Sequence, residues 1–383
     1  MAIHFSESEL ASRRDRTCAR MVEEGLDALL IFRQESMYYL TGYDTFGYVY
    51  FQCLVLKADG SHFLLTRAPD LRQAQHTSTL QDIRIWVDRD GANPAQELKP
   101  MLAKWGLENA RLGVEWEAYG LTAANGRRLE AALDGFAQME DASFLISRLR
   151  LVKSDAELAY TRRAGELSDA ALSEAKRLAG AGADEGEILA AMQGAVFAGG
   201  GDYPGNEFII GSGPDALLCR YKSGRRILSA HDQLTIEYAG VYRHYHAAAM
   251  NTIVIGEPDP LHSEMFDVAK TALLACEDAL KPGNVMGAVF DAHARTLDEA
   301  GYRKHRLNAC GYAMGTTFAP NWMDWPMFYE GNPVAIEPGM AFFIHIIIVN
   351  SDTGVAQTLG RSSIVTQSGA EPICNLDLSL ITR

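Results

Sequence analysis

Two hydrophobic periods alternate along the first 145 residues. Helical spacing over residues 9–24, from about residue 70, and over 98–105 and 122–133 is interleaved with short apolar runs at 28–32, 52–57, 63–66, 83–87 and 111–115. Ala58-Asp-Gly60 supplies a hairpin-type turn between two of these runs. Strands alternating with helices at this spacing predict a small α/β domain over residues 1–145, with a mainly parallel or mixed sheet.

Beyond residue 145 the texture changes. A basic connector at 147–154 leads into Ser154-Asp-Ala-Glu157, which has the form of a capping box, and predicts a helix running to about residue 178. Further helices are predicted over 185–197, 261–280 and 285–300; the third carries Leu261, Met265, Val268, Ala272, Ala275 and Ala279 on one stripe and stops at Pro282-Gly283. Strand patterns fall at 207–210, 233–240, 243–255, 341–349 and 362–366. Two helix pairs, each leading into strands, predict an α+β domain over residues 146–383 with internal pseudo-symmetry.

Composition narrows the function. The chain has 383 residues, 48% of them hydrophobic and 22% charged, within the range of an ordinary globular protein. Its formal net charge of −14 lacks the basic footprint of a nucleic-acid binder, and disfavours docking on an anionic membrane. No window approaches 18 consecutive apolar residues, and the N-terminal stretch lacks a signal-peptide pattern. Six cysteines without a CxxC interval read as reduced thiols, so a cytoplasmic location is expected. Neither GxGxxG nor GxxxxGK[ST] occurs where a nucleotide would need it, and no cofactor is expected.

Seven landmarks occur in one order. They are Met37-Tyr-Tyr-Leu-Thr-Gly42, Arg150-Leu-Val-Lys-Ser154, Ile210-Gly-Ser-Gly213, Asp232-Gln-Leu-Thr-Ile-Glu237, Gly311-Tyr-Ala-Met-Gly315, Ile336-Glu-Pro-Gly-Met340 and Ser363-Ile-Val-Thr366. Together they resemble the creatinase/prolidase/methionine aminopeptidase superfamily. The resemblance implies a pita-bread C-terminal catalytic domain behind a smaller creatinase-type N-terminal domain. Metal-dependent members hold two divalent ions with two Asp, a His and two Glu. Those positions fall here on Glu237, Ala248, Tyr312, His345 and Gly360. Alanine and glycine offer no side-chain donor, so the resemblance is to a metal-free branch. Gly211-Ser-Gly-Pro-Asp-Ala-Leu-Leu-Cys-Arg220, Tyr242-Arg-His-Tyr-His-Ala247 and Asn321-Trp-Met-Asp-Trp-Pro-Met327 look most like ectoine hydrolase. That likeness implies hydrolysis of a C–N bond in a small cyclic amidine zwitterion. The alternatives are a creatinase-like amidinohydrolase, a Xaa-Pro peptidase-like protein and a catalytically dead binding module.

The expected chemistry centres on three residues. Glu237 interrupts an apolar strand, which is costly for an acid unless it is partnered or functional; as a site residue it is nucleophile or general base. His246 and His345 are the candidate proton donors to a leaving nitrogen, imidazole being the side chain that exchanges protons near neutrality. His244 and His246, two apart on a predicted strand, are expected on one face. Tyr312 stands at a former ligand position and is expected to orient substrate. Cys219 reads as a pocket-lining thiol. Trp322 and Trp325, with Met323 and Met327, are candidate walls for a compact cation. Arg220, Arg225, Arg226 and Arg361 are candidates to clamp a substrate carboxylate. The aromatic stretch containing Phe46 and Tyr48 is, by the resemblance, a candidate lid acting on the partner's site in a homodimer.

Overall fold

The computed structural model of the chain describes residues 3–220 and 225–383. They fall into two units, Met1–Arg150 and Leu151–Arg383. In the first, the predicted alternation becomes six strands: β1 (Ala28–Ile31), β2 (Cys53–Lys57), β3 (His62–Arg67), β4 (Ile83–Trp86), β5 (Arg111–Val114) and β6 (Gln138–Asp141). Their order is β4-β3-β2-β1-β5-β6. The sheet is mixed, because β2 runs antiparallel to both β1 and β3 while β1, β5 and β6 are mutually parallel. Separate apolar cores form from its two sets of alternating side chains, with Leu30, Val55 and Leu65 in one and Leu29, Leu54 and Leu64 in the other. Met37-Tyr-Tyr-Leu lies in a short helix, Gln34–Thr41.

The second unit is built on nine strands. They are β7 (Ile209–Ser212), β8 (Asp232–Tyr242), β9 (Tyr245–Ile255), β10 (Gly311–Ala313), β11 (Asp324–Met327), β12 (Ala341–Asn350), β13 (Val355–Thr366), β14 (Gly369–Pro372) and β15 (Ile381–Thr382). The main path runs β11-β10-β12-β13-β9-β8-β7, antiparallel throughout, with β14 on β13 and β15 beside β9. The capping box forms as its sequence predicts: Ser154 Oγ accepts from the Glu157 N–H and Glu157 from the Ser154 N–H, opening the helix Asp155–Leu178. That helix pairs with Glu185–Ala198 and lies on β8 and β9, while Pro260–Ala279 pairs with Met286–Glu299 and lies on β12 and β13.

One glycine shows how closely helix and sheet approach. A Cβ on Gly240 would come within 1.9 Å of the Ala164 carbonyl oxygen, so the helix rests directly on the β8 backbone. Gly240 and Glu237 differ by an odd number of residues and therefore face opposite sides of the strand. Helices cover the Gly240 side, and Glu237 is left on the other.

The β8–β9 connection differs from expectation. Arg243 and His244 are not strand residues; both have positive φ, at 51° and 65°, and form a two-residue hairpin turn. Such turns match the twist of the strands they join. Strand β9 begins only at Tyr245, so the expected pairing of His244 with His246 on one strand face does not occur.

Candidate active site

Register across the sheet assembles the site. Ile209 faces Glu237, Glu237 faces Met250, Met250 faces Gly360 and Gly360 faces His345, one row across five strands. In the adjoining row Ala239 faces Ala248, Ser362 faces Phe343, and Phe343 faces Tyr312, which in turn faces Met327. Opposed residues of antiparallel strands point to the same side. These residues come from distant parts of the chain, and only the pairing brings them together.

A cavity of about 170 Å³ opens on this face. Glu237, Tyr312, His345, Cys219, Arg220, Trp322, Met323 and Met327 line it, with Asn206, Asn321 and four apolar residues. It is small beside the roughly 300–1,000 Å³ usual for ligand pockets, which suits a compact ligand.

Glu237 is the group whose state this environment most changes. It is 9% exposed, and among the described residues its one hydrogen-bond partner is the Tyr312 hydroxyl, which donates to Oε1 at 3.2 Å. Burial disfavours its charge and raises its pKa to about 7, against the lowering effects of Tyr312 and the Arg220 charge. The Trp322 indole N–H donates to the Tyr312 hydroxyl oxygen at 2.8 Å. Desolvation holds the Tyr312 hydroxyl well above its ordinary range, so it stays protonated and donates. Burial lowers His345 to about 4, leaving it neutral at neutral pH. Desolvation, then the Glu237 charge, raises the Cys219 thiol, so it lines the cavity as a neutral group rather than a thiolate nucleophile.

Several expected site residues lie elsewhere. His246 does not line the cavity. Its Nε2 accepts the Gly205 N–H at 2.8 Å, its Nδ1 meets the His244 carbonyl at 2.8 Å, and burial lowers it to about 3. Both nitrogens are occupied, which makes it a structural histidine on the wall behind the site. His244 sits in the hairpin turn, stacked on Phe318 at 4.2 Å between centroids. Trp325 packs on the core of the second unit, not on the cavity. Arg361 is one residue from Gly360 and so faces the helical side, where it makes a two-pronged pair with Glu277 at 2.7 and 2.8 Å. Arg226 is likewise occupied, by Ser212 and Asp232, and Arg225 is not at the cavity. Among the described residues Arg220 is the cation that lines the cavity, exposed and without an ion pair to any of them. Phe46, exposed, and Tyr48, buried, flank and occupy a short 3-10 turn of the first unit.

Sequence reasoning missed Asn206, Asn321, Leu307, Ala309, Ile209 and Ile347. The loop residues carry no periodic signal. Ile347 was findable, because it shares strand parity with His345, whereas Ile209 reaches the site only through its register with Glu237.

The five positions to which the resemblance assigns metal ligands all face this side. The donors, however, do not make a two-ion site. Ala248 presents a methyl group, Tyr312 a neutral hydroxyl already engaged, and Gly360 no side chain. A Cβ on Gly360 would lie 3.0 Å from the Phe343 ring, so the space a carboxylate stem needs is filled by an aromatic edge. Among the described residues no group of three or more His, Cys, Asp or Glu is arranged to hold an ion. The residues present do not fit the metal pair.

Fold and site together define a hydrolase with the pita-bread architecture. Residues 159–366 match the model of metallopeptidase family M24, and residues 13–152 that of the creatinase/prolidase N-terminal domain; the chain belongs to this family. It is 27% identical to the uncharacterized hydrolase/peptidase y4tM of Sinorhizobium fredii, covering 100% of this chain and 99% of that one. It is 26% identical to the ectoine hydrolase of Halomonas elongata, again over 100% and 99%. The crystal structure of dipeptidase PepE from Mycobacterium ulcerans superposes with a TM-score of 0.85 at 25% identity, covering 99% of each chain.

Proposed function

We propose that this protein is a metal-independent hydrolase that opens the ring of a small cyclic amidine zwitterion, with ectoine as the substrate and an N-acetylated diaminobutyrate as the product. The observation that carries the reading is Glu237: a buried carboxyl with one hydrogen bond among the described residues, facing a small cavity and held at about 7. Likeness to the Halomonas ectoine hydrolase over the full length supports the substrate class.

The chemistry follows from the protonation states. Ionised Glu237 either adds to the amidine carbon itself or takes a proton from the water that adds there. In the second case a C–O bond forms, Glu237 becomes neutral, and it then hands that proton to the departing ring nitrogen as the C–N bond breaks, while the new hydroxyl gives up its own proton to the freed amine and becomes the amide carbonyl. A carboxyl near 7 is suited to both halves of this exchange. The histidines are not suited to the acid role first expected of them, because burial keeps His345 and His246 uncharged at neutral pH. His345 instead offers a neutral imidazole on the far side of the row from Glu237. Arg220 at the cavity is the cation for a substrate carboxylate, and Trp322 with the two methionines walls the cationic amidine.

The likeness to PepE favours a second reading, in which the same carboxyl cleaves a short peptide. Incubating chelator-treated protein separately with ectoine, creatine and Xaa-Pro dipeptides decides between them. Acetylated diamino acid supports the amidine reading; urea or free proline supports the alternatives. The working unit is proposed to be a homodimer, which light scattering at micromolar concentration checks.

A further inference from the structure

The indole of Trp322 neither titrates nor attacks, yet it occupies a decisive place in the wall. It is 1% exposed, and indole N–H can only donate. Its N–H is directed at the Tyr312 hydroxyl oxygen, at 2.8 Å. A tyrosine hydroxyl has one hydrogen and two lone pairs. With one lone pair taken by the indole, the hydrogen goes to the remaining acceptor, Oε1 of Glu237 at 3.2 Å. Oε2 of Glu237 has no hydrogen bond among the described residues, and Glu237 lines the cavity.

The indole is itself held from both ends of its residue. The Trp322 backbone N–H donates to Asn206 Oδ1 at 3.1 Å, and Thr317 Oγ1 donates to the Trp322 backbone carbonyl at 3.4 Å. Gly205, next to Asn206, donates to His246 Nε2, and Thr317 also meets His246 Nδ1 at 3.1 Å. His246 therefore anchors both loops that grip Trp322, which gives this buried histidine a purpose the row across the sheet does not.

We propose that Trp322 is the positioning residue of this site: its indole N–H fixes the direction of the Tyr312 hydroxyl, so that Oε1 of Glu237 is always the occupied oxygen and Oε2 the one presented to the substrate. The proposal rests on reading Glu237 as the reacting carboxylate, and it predicts that the indole N–H of Trp322 acts only through Tyr312, while the aromatic face with which Trp322 walls the cavity is kept by phenylalanine. A double-mutant cycle on the full-length protein tests this. Trp322→Phe is expected to lower kcat about fivefold and Tyr312→Phe about tenfold, the double variant being no slower than Tyr312→Phe alone. A double variant slowed by the product of the two single effects would overturn the proposal.

A second measurement needs no turnover. In ligand-free protein, the carboxyl stretch of Glu237, identified by its disappearance in Glu237→Gln, should shift in Trp322→Phe toward its position in Tyr312→Phe. An unmoved band overturns the positioning role even if no substrate is ever turned over. A moved band with no turnover of any amidine upholds it and rejects the reaction instead. Should Trp322→Phe fail to fold, nitrogen-15 NMR of the tryptophan side chains in Tyr312→Phe replaces it: one indole N–H signal must move upfield, and five unmoved signals contradict the contact.

Discussion

Two buried glutamates, one in each unit, look alike in sequence and differ in what surrounds them. Glu115 follows β5 and is 1% exposed; Glu237 lies within β8 and is 9% exposed. Desolvation raises both. Glu115, however, accepts from the Phe32 N–H at 3.0 Å, the Arg33 N–H at 2.8 Å and the Ser36 hydroxyl at 2.6 Å. Those bonds tie β1, the helix after it and β5 together at one point. Glu237 accepts a single bond from the described residues and faces a cavity. Burial of an acid therefore does not mark a reactive site; unfilled hydrogen-bonding capacity beside open space does. The two central histidines repeat the contrast, His246 with both nitrogens engaged and His345 on the cavity wall.

The largest effects should come from the same substitution made at the two acids. Glu237→Gln is expected to lower turnover at least a hundredfold, the scale of losing a positioned acid–base group, with the melting temperature held or raised. Glu115→Gln is expected to leave turnover per folded molecule unchanged and to cost about 1–3 kcal/mol of stability, because Gln keeps one acceptor oxygen where the carboxyl offered two, and its NH2 is set against either the Ser36 hydroxyl or the two backbone N–H groups. Denaturant melts and steady-state assays on both variants measure this. Loss of turnover without loss of stability in Glu115→Gln would erase the distinction.

A smaller separation is expected at the histidines. His345→Asn should reduce turnover about tenfold with little change in stability. His246→Asn should lose about 1–3 kcal/mol of stability, because buried donors and acceptors are left unmatched. Equal turnover losses at equal stability would return His246 to the catalytic group.

The pH dependence sharpens the comparison most finely. Because the active form of Glu237 is ionised, kcat/KM should rise with pH and level off above about 7. Tyr312 lowers the Glu237 pKa, so Tyr312→Phe should move that limb to higher pH. Stability runs the other way. The folded state holds the Glu237 proton to about 7, against an ordinary 4.5, so this contribution is fully present below about 4.5 and lost as pH rises through 7. Relative to wild type, Glu237→Gln should therefore gain in melting temperature between pH 4.5 and 7, and a flat difference would contradict a raised Glu237.

Much of the fold was legible in the sequence, and the site only in part. Helix starts with a local signature, such as the box at Ser154, and strands with an uninterrupted apolar run, such as 28–32, were readable because their causes lie within a few residues. Glu237, Tyr312 and His345 were singled out by family position and by the oddity of polar groups in apolar strands. Register was not legible. Whether Arg361 or Gly360 faces the cavity depends on a one-residue difference in strand parity, and the sequence near them does not decide it. His244 was misplaced because two consecutive left-handed residues that are neither Gly nor Asn carry no turn signal. Asn206 and Asn321 belong to loops whose positions are set by contacts with each other's neighbours, and no local pattern announces such contacts.

The central claim is that the carboxyl of Glu237, without a metal pair, opens a cyclic amidine. Its most direct test is ectoine turnover by full-length protein stripped with a chelator and then assayed with and without added divalent manganese, cobalt or zinc. The account predicts undiminished formation of the acetylated diamino acid after stripping, no gain on adding metal, and less than about two equivalents of metal per chain by elemental analysis of the protein as purified. Activity that disappears on chelation and returns with a divalent ion would contradict it.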